Sequence, residues 1–148
     1  ECEALMGTAT AGIPHAAIVS QMLALPMGYV RGESKSHGRE NKIEGADPKG
    51  KKVVVIEDLI STAGSSIDVV NSLREAGAEV LGIVSIFTYG LKKGIDKLKE
   101  ANVENHSLTN LDAVIKEALS QNYISEREAR MLLKFRENPQ DPSWQEVQ

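Results

Sequence analysis

Two adjacent carboxylates followed by a turn of small hydroxyl residues form the stretch of this chain best suited to chemistry. Glu57 and Asp58 follow the apolar run 53–56, and the turn 61–65 opens a helical pattern. Such an apolar run is typical of a buried parallel strand. Small residues before a helix let backbone N–H groups converge on an anion, which the helix dipole also favours. Because a phosphate would repel the carboxylates, they suit sugar hydroxyls or a cation, and the stretch as a whole suits a phosphorylated sugar.

The structural alternative for the same stretch is a buried strand followed by a helix that Ser61 or Ser65 caps. A strand, a small turn and a helix are common enough for that explanation to stand by itself. Two adjacent carboxylates at the carboxyl end of the strand favour binding, because ligands of open α/β sheets lie at that edge.

Three basic side chains occur in the glycine-flanked segment 31–38, namely Arg31, Lys35 and His37. They are either ordinary solvated charges or a cationic binding group. Lys35 and His37 alternate as on an extended segment. Cations beside a departing diphosphate stabilise the transition state more than the ground state, since negative charge grows as the bond breaks. An imidazole there can also donate a proton or a hydrogen bond.

The remaining polar residues carry weaker signals. The turn 8–12 consists of small residues, so only its backbone can contact a ligand. His15 follows a proline at a predicted helix start and is best explained by packing. No Cys or His spacing is typical of a metal site, so we predict no protein metal ligands. Ser61 is not a candidate nucleophile, because no histidine occupies a plausible relay position.

Length and composition limit the classes of protein to which this chain can belong. A chain of 148 residues with 41% apolar content predicts one domain with a real core. The net charge of −4 gives no reason to expect a nucleic acid or an anionic membrane as partner. Apolar runs are too short for a membrane span. Cys2 is the only cysteine, which excludes an internal disulfide and suits a reducing cytoplasm.

Strand and helix patterns alternate along the first part of the chain, which predicts a mainly parallel twisted sheet flanked by helices. The predicted strands are 4–8, 27–31, 53–57, 80–87 and an edge strand 103–108. The predicted helices are 14–25, 66–76 and 91–101, the last with Ile95 and Leu98 facing inward. The polar stretch 32–52 has no periodicity and predicts a long mobile loop or a β-ribbon.

After residue 108 the pattern is helical. A capping start at 109–112 predicts a helix to about 121, and Ser125 with Glu128 fits a capping box. Residues 138–148 are predicted to be a tail, in which Trp144 anchors to the surface. We therefore divide one domain into an α/β core, 1–108, and C-terminal helices with the tail, 109–148, which contribute to a cap.

A family resemblance links these features. Residues 53–65 resemble the binding signature for phosphoribosyl pyrophosphate (PRPP) in type I phosphoribosyltransferases. Residues 31–45 resemble the mobile catalytic loop of the orotate-specific members of that family. The resemblance implies the family's α/β fold and transfer of the phosphoribosyl group from PRPP to N1 of orotate. That reaction gives orotidine 5′-monophosphate and diphosphate in pyrimidine (UMP) biosynthesis. The resemblance also implies Mg²⁺ as cofactor and a cytoplasmic homodimer whose loop serves the neighbouring subunit.

The resemblance also assigns roles. The catalytic residues would be Lys35, His37 and Asp58, and Ser61 would also contact orotate. The PRPP contacts would be Arg31, Lys35, His37, Glu57, Asp58, Leu59, Ile60, Ser61, Thr62, Ala63, Gly64 and Ser65. In this family the turn corresponding to 8–12 accepts diphosphate through backbone amides, often through a strained peptide. Thr10, Ala11, Gly32 and Tyr89 stand where some relatives have an aromatic residue, two lysines and an arginine, so the orotate contacts are less defined than the PRPP contacts.

Two other functions remain open at this stage. A phosphoribosyltransferase for another base, as in purine salvage, would share the Glu57-Asp58 stretch but carry a shorter or differently charged loop. A non-catalytic regulator that senses PRPP would not need Lys35 and His37. The chain also opens on Glu1 without an initiator methionine, where members of the family carry a further N-terminal segment. We therefore expect the sequence to be a fragment.

Overall fold

The computed structural model describes residues 1–32 and 42–146, and within these ranges a six-stranded sheet forms the centre of the fold. The sheet order is β3-β2-β1-β4-β5-β6, with β3 antiparallel to β2 and all other pairs parallel. The strands are β1 (Ala4–Thr8), β2 (Met27–Val30), β3 (Ile43–Gly45), β4 (Lys52–Ile60), β5 (Glu79–Thr88) and β6 (Asn105–Asn110). The helices are α1 (Gly12–Leu23), α2 (Gly64–Glu75), α3 (Lys92–Glu100), α4 (Leu111–Ser120) and α5 (Glu126–Glu137), followed by a short 3₁₀ helix, Pro142–Glu146.

The central strand β4 is apolar on both faces, which places it in the middle of the sheet. Val53 and Val55 are fully buried and pack with Val70 and Leu73 of α2. On the opposite face Ile56 packs in a second cluster, on the side of α1. Helices therefore lie on both faces of β4, and its carboxyl end is held rigidly beside that of β1.

The alternation of strands and helices in the predicted core is confirmed, with shifted ends. β4 continues to Ile60 rather than ending at Glu57, because residues 59 and 60 keep pairing with β5. The predicted edge strand at 103–108 lies at Asn105–Asn110. The inward orientation of Ile95 is wrong, since its side chain is 57% exposed, whereas Leu98 packs against the core as expected.

The predicted loop or ribbon over 32–52 contains a strand in its second part. β3 pairs with β2 through Val30 and Ile43, and the N–H of Arg31 donates to the carbonyl of Lys42 at 2.7 Å. The ribbon alternative therefore describes this end of the segment. Residues 33–41 lie outside the described residues.

The C-terminal helices begin at the residues that the sequence predicted. Asn110 caps α4 by accepting from the N–H of Ala113, and Ser125 with Glu128 forms the capping box of α5. The predicted tail includes the 3₁₀ helix, in which Trp144 packs edge-to-face on Phe135 with ring centroids 5.4 Å apart. None of the helices in the described ranges is long and apolar enough to cross a membrane.

Candidate active site at the carboxyl edge of the sheet

A cleft of about 770 Å³ opens at the carboxyl edge of the sheet, between β1, β2, β4 and α2. In open parallel sheets this edge is the usual ligand site. The turn after β1 forms one wall, and the end of β4 with the turn that follows forms another. Lining residues from these and the neighbouring segments include Thr8, Ala9, Thr10, Ala11, Arg31, Gly32, Lys42, Glu57, Asp58, Leu59, Ser61 and Ser65.

The structure brings about half of the predicted PRPP contacts together in this cleft. Those that line it are Arg31, Glu57, Asp58, Leu59, Ser61 and Ser65. The side chains of Ile60 and Ala63 belong to the hydrophobic core, so any contact they make with a ligand must come from their backbone. Thr62 and Gly64 lie in the same turn and helix start without lining the cleft. Lys35 and His37 fall outside the described residues.

The N-terminus of α2 borders the cleft through Ser61 and Ser65. Its N-cap residue is Ala63, in the left-handed conformation at φ 61°, and within the described residues no side chain caps this end. The alternative in which Ser61 or Ser65 caps the helix is therefore wrong. The first amides of a helix have no partner within it, so those of α2 are available to a phosphate.

The turn after β1 approaches β4 so closely that residue 12 must be glycine. A Cβ atom at Gly12 would lie 2.4 Å from the carbonyl oxygen of Ile56 and 2.5 Å from Oγ1 of Thr8. The peptide bond between Ala9 and Thr10 is cis. Gly12 thus sets the spacing between this turn and the carboxylates of β4, a role that the sequence indicated only as part of a small-residue turn.

Gly12→Ala should therefore destabilise the protein by about 1–3 kcal/mol, because the contacts it would meet are backbone and a buried hydroxyl that cannot move freely. We expect urea unfolding to show this loss. Gly32→Ala is the matched control, since a Cβ there would have no neighbour within 4 Å among the described residues. Equal stability of both variants would contradict the proposed close packing of the turn.

Glu57 is a buried carboxylate that accepts three hydrogen bonds. Its Oε1 accepts from Thr8 Oγ1 at 2.5 Å and from the N–H of Asp58 at 3.0 Å, and its Oε2 accepts from Ser66 Oγ at 2.8 Å. Burial raises the pKa of Glu57, the neighbouring Asp58 carboxyl raises it further, and the bonds from Thr8 and Ser66 oppose the rise.

The raised pKa of Glu57 predicts a pH-dependent stability. The folded protein binds this proton more tightly than the unfolded chain, so the contribution to stability is complete below the usual pKa of 4.5 and is lost as the pH rises through the folded-state pKa. Urea unfolding between about pH 4 and pH 8 should show the wild type losing stability relative to Glu57→Gln. Glu100→Gln, at an exposed position of α3, is the control. A constant difference between wild type and Glu57→Gln would contradict the assignment.

Arg31 reaches the cleft from β2 and is oriented by β3. Its guanidinium lies 2.9 Å from Glu44 Oε1, and the hydroxyl of Tyr29 donates to Oε2 of the same carboxylate. The bond to Glu44 raises the pKa of the Tyr29 hydroxyl. The sequence placed Arg31 and Glu44 in one segment without indicating this pairing, which depends on the register of β2 with β3.

The acidic groups of the cleft suit a cation that arrives with its ligand. In the described ranges no group of three or more Asp, Glu, His or Cys side chains could hold a metal ion. Mg²⁺ is commonly bound through one or two carboxylates together with waters and substrate phosphates. Asp58, partly exposed at the cleft, and the adjacent Glu57 fit that kind of site.

The parallel sheet, the uncapped N-terminus of α2 and the paired carboxylates at the same edge are the features of a phosphoribosyltransferase domain, and comparison with known proteins agrees. Residues 3–122 match the family described as phosphoribosyl transferase domain. Orotate phosphoribosyltransferase from Staphylococcus saprophyticus is 58% identical over 138 residues, which cover 93% of this chain and 68% of that protein. The enzyme of the same name from Listeria innocua is 56% identical, covering 95% and 67%.

A solved structure leads to the same family. The crystal structure of orotate phosphoribosyltransferase from Aeropyrum pernix superposes with a TM-score of 0.75 at 30% identity, covering 84% of this chain and 68% of that one. The chain therefore belongs to the orotate phosphoribosyltransferase family. It spans about two thirds of the length of these relatives.

Proposed function

We propose that the protein transfers the phosphoribosyl group of PRPP to orotate, giving orotidine 5′-monophosphate and diphosphate in pyrimidine (UMP) biosynthesis. One observation carries the proposal. In a chain 58% identical to an orotate phosphoribosyltransferase, an anion-binding helix N-terminus and a carboxylate pair share one cleft with the turn after β1. These three features match the 5-phosphate, the ribose hydroxyls and the diphosphate of PRPP.

The 5-phosphate of PRPP lies at the N-terminus of α2 in this proposal. The hydroxyls of Ser61 and Ser65, which line the cleft, donate to it together with the backbone amides at the start of the helix. Leu59 and Ile60 contribute only backbone. Ser61 also borders the base site and contacts orotate.

The ribose and the diphosphate occupy the rest of the cleft. Glu57 and Asp58 bind the ribose hydroxyls, and the turn 8–12 with Arg31 receives the diphosphate. As the bond between C1 and the diphosphate oxygen breaks, its electron pair leaves with the diphosphate. N1 of orotate forms the new bond to C1, and the proton of N1 passes to an oxygen of the departing diphosphate. The carboxylates stabilise the positive character that develops on the sugar, while Lys35 and His37 stabilise the departing charge.

Mg²⁺ is the proposed cofactor, and the carboxylates of Asp58 and Glu57 would hold it when PRPP is bound. When bound, it would neutralise part of the diphosphate charge. The protein itself supplies the orientation of the sugar and the donors for the leaving group.

The same proposal includes the domain organisation, the oligomeric state and the location of the enzyme. Residues 1–108 form the catalytic core, and residues 109–148 contribute to a cap. The protein acts in the cytoplasm as a homodimer in which the loop of one subunit serves the site of its neighbour, without nucleic acid or membrane as partner.

Incubation of the full-length protein with PRPP, Mg²⁺ and a panel of bases tests this function. We expect orotate to be consumed with release of one diphosphate per orotidine 5′-monophosphate formed. Consumption of adenine or guanine with orotate untouched would instead identify a salvage enzyme. Tight binding of PRPP with no base consumed would identify a regulator, and either result would overturn the proposal.

A further inference from the structure

A buried hydrogen-bond network joins the three segments that form the cleft. Thr8 is the last residue of β1, Glu57 lies in β4, and Ser66 lies in the first turn of α2. All three are almost fully buried, with exposed fractions of 4%, 6% and 1%. The two hydroxyls therefore have little surface to offer a ligand, and both of them donate to the carboxylate of Glu57.

The two hydroxyl groups donate hydrogen bonds to different oxygens of that carboxylate. Thr8 donates to Oε1 at 2.5 Å and Ser66 donates to Oε2 at 2.8 Å. The terminal torsion of a glutamate side chain is broad, so a carboxylate held at one oxygen can still rotate. Donors on both oxygens, with the N–H of Asp58 as a third, remove that freedom.

Packing alone does not explain why a carboxylate, that of Glu57, is buried at this position. Taking an ionised group out of water costs free energy that its hydrogen bonds repay only in part, and apolar side chains of similar volume often serve stability better. The network lies where the turn after β1 meets the start of α2, at the edge of the cleft, so an oriented charge there has a use in binding.

We propose that Thr8 and Ser66 are positioning residues, which orient the Glu57 carboxylate for the ribose and tie the diphosphate turn after β1 to the phosphate-binding start of α2. This inference rests on the proposed binding of PRPP but not on the identity of the accepting base. Neither side-chain hydroxyl contacts the ligand in this arrangement. Both act through Glu57.

The pair Thr8→Val and Thr8→Ser separates this role from simple packing. Valine keeps the shape of threonine and removes the hydroxyl, whereas serine keeps the hydroxyl and removes a methyl group. Titration calorimetry with PRPP and Mg²⁺ should show the dissociation constant rising about tenfold or more in Thr8→Val, the typical cost of losing a hydrogen bond to a charged group. Thr8→Ser should bind PRPP nearly as the wild type does.

Ser66 gives a second test, because its hydroxyl donates to the other oxygen of the Glu57 carboxylate at 2.8 Å. Ser66→Ala removes that donor and should also raise the dissociation constant for PRPP about tenfold.

A double-variant cycle tests whether both residues act through Glu57. In a Glu57→Gln background, Thr8→Val should add little to the loss of affinity. Its full effect in that background, or equal effects of Thr8→Val and Thr8→Ser, would overturn the inference while leaving the proposed function intact. A wild-type protein that binds no PRPP would overturn the proposed function and this inference together.

Discussion

Asp58→Asn is expected to lower kcat/KM at least about 100-fold while leaving the protein folded, since donors and charges aimed at a transition state are worth factors of this size. Asp58 ends the pair of carboxylates at the cleft and is partly exposed, unlike Glu57. Asparagine keeps its shape but removes the negative charge that stabilises a developing cation on the ribose. The loss should therefore be larger in turnover than in the binding of PRPP.

Initial rates at several PRPP concentrations, together with thermal melting, test the role of Asp58. Asp96→Asn makes the same change in net charge on the exposed surface of α3, where Asp96 pairs with Lys92, and should leave kcat/KM unchanged. A collapsed melting transition in Asp58→Asn would show that the residue is structural. An activity equal to that of Asp96→Asn would remove Asp58 from the mechanism.

Lys35→Ala is the second change with a large expected effect. Lys35 lies outside the described residues, so its role follows from the chemistry of the leaving group. Negative charge on diphosphate grows as the bond to C1 breaks, and a cation beside it acts more strongly in the transition state than in the complex with PRPP. We expect kcat to fall about 100-fold, with a much smaller change in the affinity for PRPP.

Single-turnover rates and calorimetric affinities measured on the same preparation separate the two effects of Lys35→Ala. Lys49→Ala removes the same charge from an exposed position beyond β3 and is the control. Lys35→Arg, which retains a cation, should recover part of the rate. If Lys35→Ala weakened binding as much as turnover, the residue would be a binding element, and its assignment to the transition state would be wrong.

Local patterns in the sequence were enough to predict most of the sheet and the turn between β4 and α2. β4 was recognisable because a buried parallel strand is apolar on both faces. The capping box of Ser125 and Glu128 was recognisable because both partners lie within one helical turn. Ile95 was misplaced because helical spacing identifies a stripe but does not show how much of it a neighbour covers.

The parts of the site that were missed depend on long-range contacts. Thr8 bonds Glu57 across 49 positions of sequence, and Glu44 pairs with Arg31 only because β3 lies beside β2 in one register. The need for Gly12 comes from the carbonyl of Ile56 on another strand. Periodicity and spacing carry no information about such partners. The sequence could therefore predict residues that line the cleft, but not the long-range contacts that hold those residues in place.

The pairing of β2 with β3 also has a practical consequence for engineering. The backbone N–H of Arg31 donates to the carbonyl of Lys42, so residues 31 and 42 are held next to each other. The segment between them can be treated as an exchangeable cassette, to be replaced by its counterpart from another branch of the family. Such exchanges would compare how different segments act on the departing diphosphate while the rest of the fold stays the same.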